Sequence, residues 1–109
     1  MNLEIQDILT ALARVTERTA CKTFPEFGRM DKKKADRIAV EEMRLELSKL
    51  PFQSRVIIGE GEKDDAPMLY EDEILGAAGF AIDIAVDPLE CTTNFAKGLP
   101  NSLFVIAFT

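Results

Sequence analysis

Carboxylates cluster at three places where a loop meets a predicted strand or helix. Glu60 and Glu62 follow one short apolar run, and Asp87 and Glu90 follow a second. Asp36 lies in the segment that opens the second predicted helix. In sheets with parallel strands, binding sites form beyond the carboxyl ends of the strands. The acids at the two strand ends are therefore expected to meet at one place.

The spacing of these acids suits a hard divalent cation, which binds through oxygen. A tight turn brings residues three apart to the same side, so Asp87 and Glu90 can reach one ion with the carbonyl of Leu89 between them. The glycines on either side of Glu60 let the backbone turn sharply and come close to a ligand. Each segment alone is better explained as an exposed turn or helix surface. Only their joint occurrence in an acidic chain favours a cation site.

A phosphate ester is the substrate class that such a site suits. Backbone N–H groups after Glu90, at the start of a short predicted helix, form a ready anion site. Cations beside that site neutralise the phosphate charge and polarise a water for in-line attack. Thr92 carries a hydroxyl and no charge, and it is placed to orient that water. Lys32 is expected at the surface, with contact to the phosphate as the alternative.

The composition of the chain excludes several classes of function. Its 109 residues carry a net charge of −6 and include no histidine, so Ser-His-Asp triads and histidine-based zinc motifs cannot form within it. The negative charge argues against a nucleic-acid partner, and the short basic run 32–34 is expected to be a solvated helix start. No run reaches transmembrane length and the N-terminus is not typical of a secretory signal, so no membrane contact and a cytoplasmic location are expected. Cys21 and Cys91 match neither a metal spacing nor a disulfide framework.

Hydrophobic periodicity predicts two helices followed by strands, which is an α/β or α+β layering of helices on a sheet. The predicted helices cover residues 3–23 and 32–50, and the predicted buried strands cover 55–58, 81–86 and 102–108. Pro88 is expected at the first position of a short turn or helix over 89–95. Residues 68–75 are ambiguous, with a short exposed strand or an irregular segment favoured.

The end of the sequence lies inside an apolar run. Residues 103–108 are all apolar, and no turn or polar cap follows them before Thr109. A strand of this kind normally has neighbours, because an open apolar edge invites pairing with another chain. Residues 1–109 are therefore expected to be the N-terminal portion of one truncated domain. The alternative is a sheet edge that is covered in a dimer.

Several segments resemble one enzyme family. Residues 56–70 (Val-Ile-Ile-Gly-Glu-Gly-Glu-Lys-Asp-Asp-Ala-Pro-Met-Leu-Tyr) and 82–90 (Ile-Asp-Ile-Ala-Val-Asp-Pro-Leu-Glu) are similar to the class II fructose-1,6-bisphosphatases. That class includes cyanobacterial enzymes that also act on sedoheptulose 1,7-bisphosphate. Residues 28–36 and 14–17 fit the N-terminal region of the family. The stretch 87–92 is also similar to the wider lithium-sensitive phosphatase superfamily, which includes inositol monophosphatases.

The resemblance implies a layered α/β sugar-phosphatase fold, here incomplete, and a metal-dependent reaction. Fructose 1,6-bisphosphate would be hydrolysed at its 1-phosphate to fructose 6-phosphate and phosphate, in gluconeogenesis or the Calvin cycle. The cofactor would be Mg²⁺ or Mn²⁺, and the full-length protein would be a homo-oligomer. The implied site residues are the metal ligands Asp36, Glu60, Asp87, Leu89 (through its carbonyl) and Glu90; the catalytic residues Thr92 and Glu60; the substrate-binding residues Glu90, Cys91, Thr92 and Lys32; and the supporting acids Glu62, Asp64 and Asp83.

The sequence departs from the family pattern in two ways, and these keep two alternatives open. Cys91 stands where family members have glycine, and a Cβ there is expected to strain the turn or crowd the substrate. The family residues that hold the sugar and the second phosphate lie beyond Thr109. One alternative is an inositol-monophosphatase-like phosphatase, against which the segment 66–70 counts. The other is a non-catalytic fragment that binds metal or phosphate.

Overall fold

The computed structural model describes residues 3–109. Its elements in chain order are α1 (Ile5–Thr23), a 3₁₀ turn (Phe24–Glu26), α2 (Lys32–Ser48), β1 (Gln53–Ile58), β2 (Ile74–Gly76), β3 (Ala81–Glu90), α3 (Thr92–Lys97) and β4 (Leu103–Phe108). None of the helices in this part of the chain is long and apolar enough to cross a membrane.

Both long helices follow from apolar stripes and local capping. The buried residues of α1 recur every three or four positions from Ile8 to Thr23, so one face of the helix packs inward. The carboxylate of Asp31 accepts the backbone N–H of Lys34 at 3.1 Å and so caps the start of α2. The predicted helices over 3–23 and 32–50 are thus present, and α2 ends at Ser48, two residues earlier than predicted.

A mixed sheet lies against the helices with the strand order β2-β1-β3-β4. The central strands β1 and β3 run parallel, whereas β2 and β4 pair antiparallel with them at the two edges. Alternate residues of the central strands enter the core, which is the period-2 pattern of a sheet that is covered on one face. The core combines residues from α1, α2 and the sheet: Ile8, Leu12, Val15, Met43, Leu47, Phe52, Val56, Leu69, Leu75, Ile82, Ile84 and Val86.

The end of β3 corrects one prediction. Pro88 does not begin a helix; it is fully buried inside β3, and α3 begins only at Thr92. The pairing with β4 changes register here, because three steps along β3, from Asp87 to Glu90, span two steps on β4. Proline is tolerated at such a bulge because no ladder N–H is required there. The bulge also reverses the alternation of side chains, so Asp87 and Glu90 share a side without the tight turn that was expected.

A second apolar cluster joins the start of α2 to the end of β3. It consists of Ala35, Ala39, Leu89 and Phe95, with Phe104 packed against it. The loop before α2 is tied to α3 by two backbone hydrogen bonds, from the N–H of Gly28 to the carbonyl of Phe95 at 3.0 Å and from that of Met30 to Ala96 at 2.8 Å. The two small alanines let α2 approach closely, and this fixes the start of α2 beside α3.

Candidate metal centre and phosphate groove

The parallel arrangement of β1 and β3 places their carboxyl ends at the same edge of the sheet. Glu60 follows β1 by two residues, whereas Asp87 and Glu90 belong to the irregular end of β3. Asp36 reaches this edge from the first turns of α2, which the alanine cluster holds against β3. Three separate elements thus bring four acids from the predicted site together.

The four carboxylates interact through their charges. Burial raises the pKa of Asp36, and the charge of Asp87 raises it further. Although much of Glu60 is exposed, burial around its carboxyl group is the first cause of its raised pKa, followed by the charges of Asp36 and Asp87. A hydrogen bond with Asp87, together with the charge of Asp87, raises the pKa of Glu90. Each shift has the sign expected for like charges crowded together.

No basic side chain compensates these acids within residues 3–109. The ion pairs of this part of the chain involve other carboxylates: Glu26, Glu41, Glu46, Glu73 and Asp83. An uncompensated group of partly buried carboxylates is costly. A bound cation would remove that cost.

The donor chemistry of the cluster fits a hard divalent cation, but the cluster is not closed into a coordination shell. Carboxylate and carbonyl oxygens are the ligands that Mg²⁺ and Mn²⁺ prefer. Among the described residues, however, no three His, Cys, Asp or Glu side chains are gathered tightly enough to hold one metal ion. The charges of these carboxylates act on one another's surroundings over longer distances than metal–ligand bonds span. The raised pKa values and the lack of a closed ligand group are therefore compatible. Cation binding at this edge requires side-chain rotations that bring the oxygens closer.

The turn after β3 carries Cys91 in a strained conformation. Its φ is +65°, in the left-handed region that disfavours residues with a Cβ. The Cys91 carbonyl accepts the N–H of Phe95 at 3.2 Å and the hydroxyl of Ser102 at 3.0 Å, and these bonds hold the turn. The expectation of strain at this position is confirmed by the backbone geometry. The thiol is exposed.

Thr92 follows directly, with its hydroxyl next to the predicted carbonyl ligand. The Thr92 hydroxyl donates to the carbonyl of Leu89 at 3.2 Å, and Thr92 is half-buried. Because the hydroxyl hydrogen is used in this bond, the lone pairs of the oxygen are left to accept a hydrogen bond from a water.

A groove of about 460 Å³ lies between the start of α2 and the start of α3. Its lining residues are Lys32, Lys33, Asp36, Cys91, Thr92 and Thr93. The groove therefore combines two ammonium groups with two hydroxyls beside the acid cluster. Lys33 and Thr93 were missed by the sequence reasoning, because a basic run at a helix start is ordinarily solvated. Lys34, the third lysine, pairs with Glu26 at 3.6 Å instead.

A second groove, of about 350 Å³, lies between α2 and the loop after β1. Asp36 and Glu60 are among its lining residues, and Asp65 lines it from the loop. Asp36 thus belongs to both grooves. Glu60 lines the second groove only, so Asp36 is the acid of the cluster at which the two grooves meet.

The three acids expected in supporting positions do not join the group formed by Asp36, Glu60, Asp87 and Glu90. Asp83 lies in the first half of β3, where its carboxylate contacts Arg55 Nε of the neighbouring strand at 3.3 Å. Glu62 lies beside a separate shallow groove with Ile57 and Ile58. Asp64 is exposed in the loop. None of the three appears among the causes of the raised pKa values of Asp36, Glu60 and Glu90.

Comparison with known proteins identifies the family. The family model described as bacterial fructose-1,6-bisphosphatase, glpX-encoded, matches residues 6–109. The chain belongs to this family. The resemblance of residues 56–70 and 82–90 to class II fructose-1,6-bisphosphatases is thereby confirmed.

Curated relatives agree with the family assignment. Fructose-1,6-bisphosphatase 2 class 2 of Escherichia coli K12 is 49% identical over 98 residues, which cover 89% of this chain and 30% of that protein. Fructose-1,6-bisphosphatase 1 class 2 of the same organism is 44% identical over 103 residues, which cover 94% of this chain and 31% of that protein. D-fructose 1,6-bisphosphatase class 2/sedoheptulose 1,7-bisphosphatase of Trichormus variabilis is 39% identical over 111 residues, which cover 90% of this chain and 32% of that protein. The chain thus spans less than a third of the length of these bisphosphatases.

A solved structure supports the fold alone. An extragenic suppressor from Pyrococcus furiosus superposes with a TM-score of 0.64 at 16% sequence identity, covering 97% of this chain and 41% of that one. The predicted α/β layering of helices on a sheet is confirmed, since the mixed four-stranded sheet with its helices recurs in a distant protein.

Proposed function

We propose that this chain carries the cation-binding side of a phosphatase active site that hydrolyses the 1-phosphate of fructose 1,6-bisphosphate. Family membership supports the reaction class. The observation that carries the proposal is the convergence of Asp36, Glu60 and Asp87 with no basic partner among the described residues: the charge of Asp87 raises the pKa of Asp36, and the charges of both raise the pKa of Glu60. A place in gluconeogenesis or the Calvin cycle, in the cytoplasm and within a homo-oligomer, belongs to the same proposal.

The residues that would hold Mg²⁺ or Mn²⁺ are Asp36, Glu60, Asp87 and Glu90, with the Leu89 carbonyl as a neutral ligand. A bound divalent cation in such a site supplies charge neutralisation of the phosphate and a more acidic water. Glu60 would contribute to catalysis as a ligand, because it lines the second groove together with Asp36 and the charges of Asp36 and Asp87 act on its carboxylate. Glu90 is bonded to Asp87 and would place the cation next to the substrate phosphate.

The groove between α2 and α3 would receive the phosphate. Lys32 and Lys33 line one wall and supply positive charge, while Thr92 and Thr93 line the other and supply hydroxyls. Thr92 would accept a hydrogen bond from the attacking water, since its own hydrogen is donated to Leu89. In the reaction the water oxygen bonds to phosphorus, the bond from phosphorus to the sugar oxygen breaks, and a proton passes to that leaving oxygen. The products are fructose 6-phosphate and inorganic phosphate.

The test is phosphate release from fructose 1,6-bisphosphate with Mn²⁺, measured on this chain and on Cys91→Gly, with inositol 1-phosphate as the comparison substrate. Calorimetry with Mn²⁺ is run in parallel on the chain and on Glu60→Gln. We expect release from the fructose bisphosphate and a weaker Mn²⁺ affinity in Glu60→Gln. Faster phosphate release from inositol 1-phosphate than from fructose 1,6-bisphosphate would show that the proposed substrate is wrong and favour an inositol-monophosphatase-like activity. Mn²⁺ binding without release from either version would reduce the function to metal binding, and unchanged affinity in Glu60→Gln would overturn the ligand assignment.

A further inference from the structure

A buried carboxylate outside the acid cluster holds the loop that follows β1. Glu73 is only 4% exposed. Its Oε1 accepts the backbone N–H of Leu69 at 2.8 Å and Nε of Arg44 at 3.2 Å, and its Oε2 accepts Nε and Nη2 of Arg44 at 3.0 and 2.9 Å. The hydrogen bond to Glu73 is the first cause of the raised pKa of Arg44. Both carboxylate oxygens are therefore committed, in the forked geometry that arginine favours.

The residue that Glu73 holds has an unusual backbone conformation. Leu69 is fully buried with φ at +53°, in the left-handed region. That conformation is unfavourable for any residue with a Cβ, because the Cβ comes too close to the following carbonyl oxygen. The bond from the Leu69 N–H to the buried carboxylate offsets this cost. Without the acceptor, the strained conformation loses its main polar support.

Leu69 in turn fixes Glu60. The Leu69 carbonyl accepts the backbone N–H of Glu60 at 2.9 Å. Gly59 makes this approach possible, because a Cβ at that position would lie only 2.2 Å from the Leu69 carbonyl oxygen. Gly59 is therefore needed for the close packing of the Leu69 carbonyl against the backbone before Glu60. Three successive contacts connect Arg44, Glu73, Leu69 and Glu60.

This connection begins on the helix that carries another acid of the cluster. Arg44 lies eight residues after Asp36 on α2, or about 12 Å along the helix axis. The helix therefore presents Asp36 to the cluster and also anchors, through Arg44, the loop that presents Glu60.

We propose that Arg44 and Glu73 are positioning residues for Glu60, which set the spacing between Glu60 and Asp36 and so raise the affinity of this edge for a divalent cation. This inference rests on the proposed cation site. Neither residue touches the acid cluster; both act through the backbone of Leu69. Groups of this kind, which orient a ligand, commonly change metal affinity by 10–100-fold when they are replaced.

The test compares three variants with the unmodified chain. Glu73→Gln keeps the shape of the side chain but cannot accept the arginine fork. The double variant Arg44→Leu/Glu73→Leu replaces the pair by apolar groups, a change that commonly leaves stability near its starting value. Arg55→Gln is the matched control, since Arg55 also forms a cross-element pair, with Asp83, but lies outside this connection. Each protein is measured for Mn²⁺ affinity by calorimetry and for amide hydrogen exchange at Glu60 and Leu69.

We expect the Mn²⁺ dissociation constant to rise about tenfold in Glu73→Gln and in the double variant, and to stay unchanged in Arg55→Gln. The Glu60 amide should lose protection in the same two variants. A double variant that folds and binds Mn²⁺ as tightly as the unmodified chain would overturn the proposal, and it decides the matter even if Glu73→Gln does not fold. Absence of Mn²⁺ binding to the folded unmodified chain would instead refute the cation site. Exchange at Glu60 would then still decide the positioning role, because retained protection in the double variant refutes it.

Discussion

Glu73 pairs with a residue of α2 and Asp36 lies on α2, yet the surroundings of the two carboxylates are opposite. Glu73 is buried and completely satisfied by Arg44 and the Leu69 N–H. Asp36 is half-buried, and the charge that raises its pKa is that of another acid, Asp87. The first arrangement stabilises a loop, whereas the second costs stability, which a bound cation would restore. The comparison separates an acid that serves the fold from an acid that we propose serves a cation site.

The largest effect is expected from replacing one partner of the Arg44–Glu73 pair. Arg44→Met leaves the buried carboxylate of Glu73 without its cationic partner, and such losses cost about 3 kcal/mol of the free energy of unfolding. Urea unfolding measures the change. The double replacement by leucine should recover part of it, because it removes the buried charge but leaves the Leu69 N–H without an acceptor. A loss in Arg44→Met below about 0.5 kcal/mol, the range of an exposed ion pair, would show that this pair does not stabilise the loop.

A smaller effect of opposite sign is expected at the unsatisfied acid. Asp36→Asn removes a partly buried charge that Asp87 repels, so it should raise the free energy of unfolding of the metal-free chain by about 1 kcal/mol. The same change should abolish the stabilisation that Mn²⁺ gives the unmodified chain, because ligands stabilise only what they bind. Thermal unfolding with and without Mn²⁺ measures both effects. A metal-free Asp36→Asn variant that is less stable than the unmodified chain would place Asp36 with Glu73 as a structural acid.

The third effect, also about 1 kcal/mol, concerns the strained backbone of Cys91 in the groove between α2 and α3. Cys91→Gly should raise the free energy of unfolding by about 1 kcal/mol, because glycine adopts a φ of +65° without the Cβ clash. Cys91→Ala is the matched control: it keeps the Cβ and should give no gain. Chemical denaturation compares the three proteins. An equal gain in both variants would trace the effect to the thiol rather than to the backbone.

Local patterns were enough to predict the helices and the set of acids. The apolar stripes of α1 and α2 recur within one turn, and Asp36, Glu60, Asp87 and Glu90 stand beside element boundaries that glycine or proline marks in the sequence. Their convergence follows from the parallel pairing of β1 and β3, which strands in an α/β order favour. These features depend on short stretches of chain, and short stretches can be interpreted alone.

The features that were missed depend on contacts between distant segments. Pro88 suggested a helix start, but the bulge that accepts it exists only because β4 pairs alongside. The pairing of Arg44 with Glu73 joins residues 29 apart, and neither residue differs in its local context from an exposed one. Lys33 looked like a solvated lysine until the loop before α2 was seen to be bonded to α3. Tertiary neighbours, and not residue type, determine these roles.

The left-handed Leu69 has an evolutionary consequence. Its strain, the glycine at position 59 and the carboxylate of Glu73 form a mutually dependent set, since each makes the other two tolerable. Substitutions at these positions should therefore be epistatic: a change at Glu73 should cost less stability once position 69 is glycine, which adopts a positive φ without strain. The glycine itself would remove a fully buried side chain from the core, so the strain of Leu69 is the lesser cost.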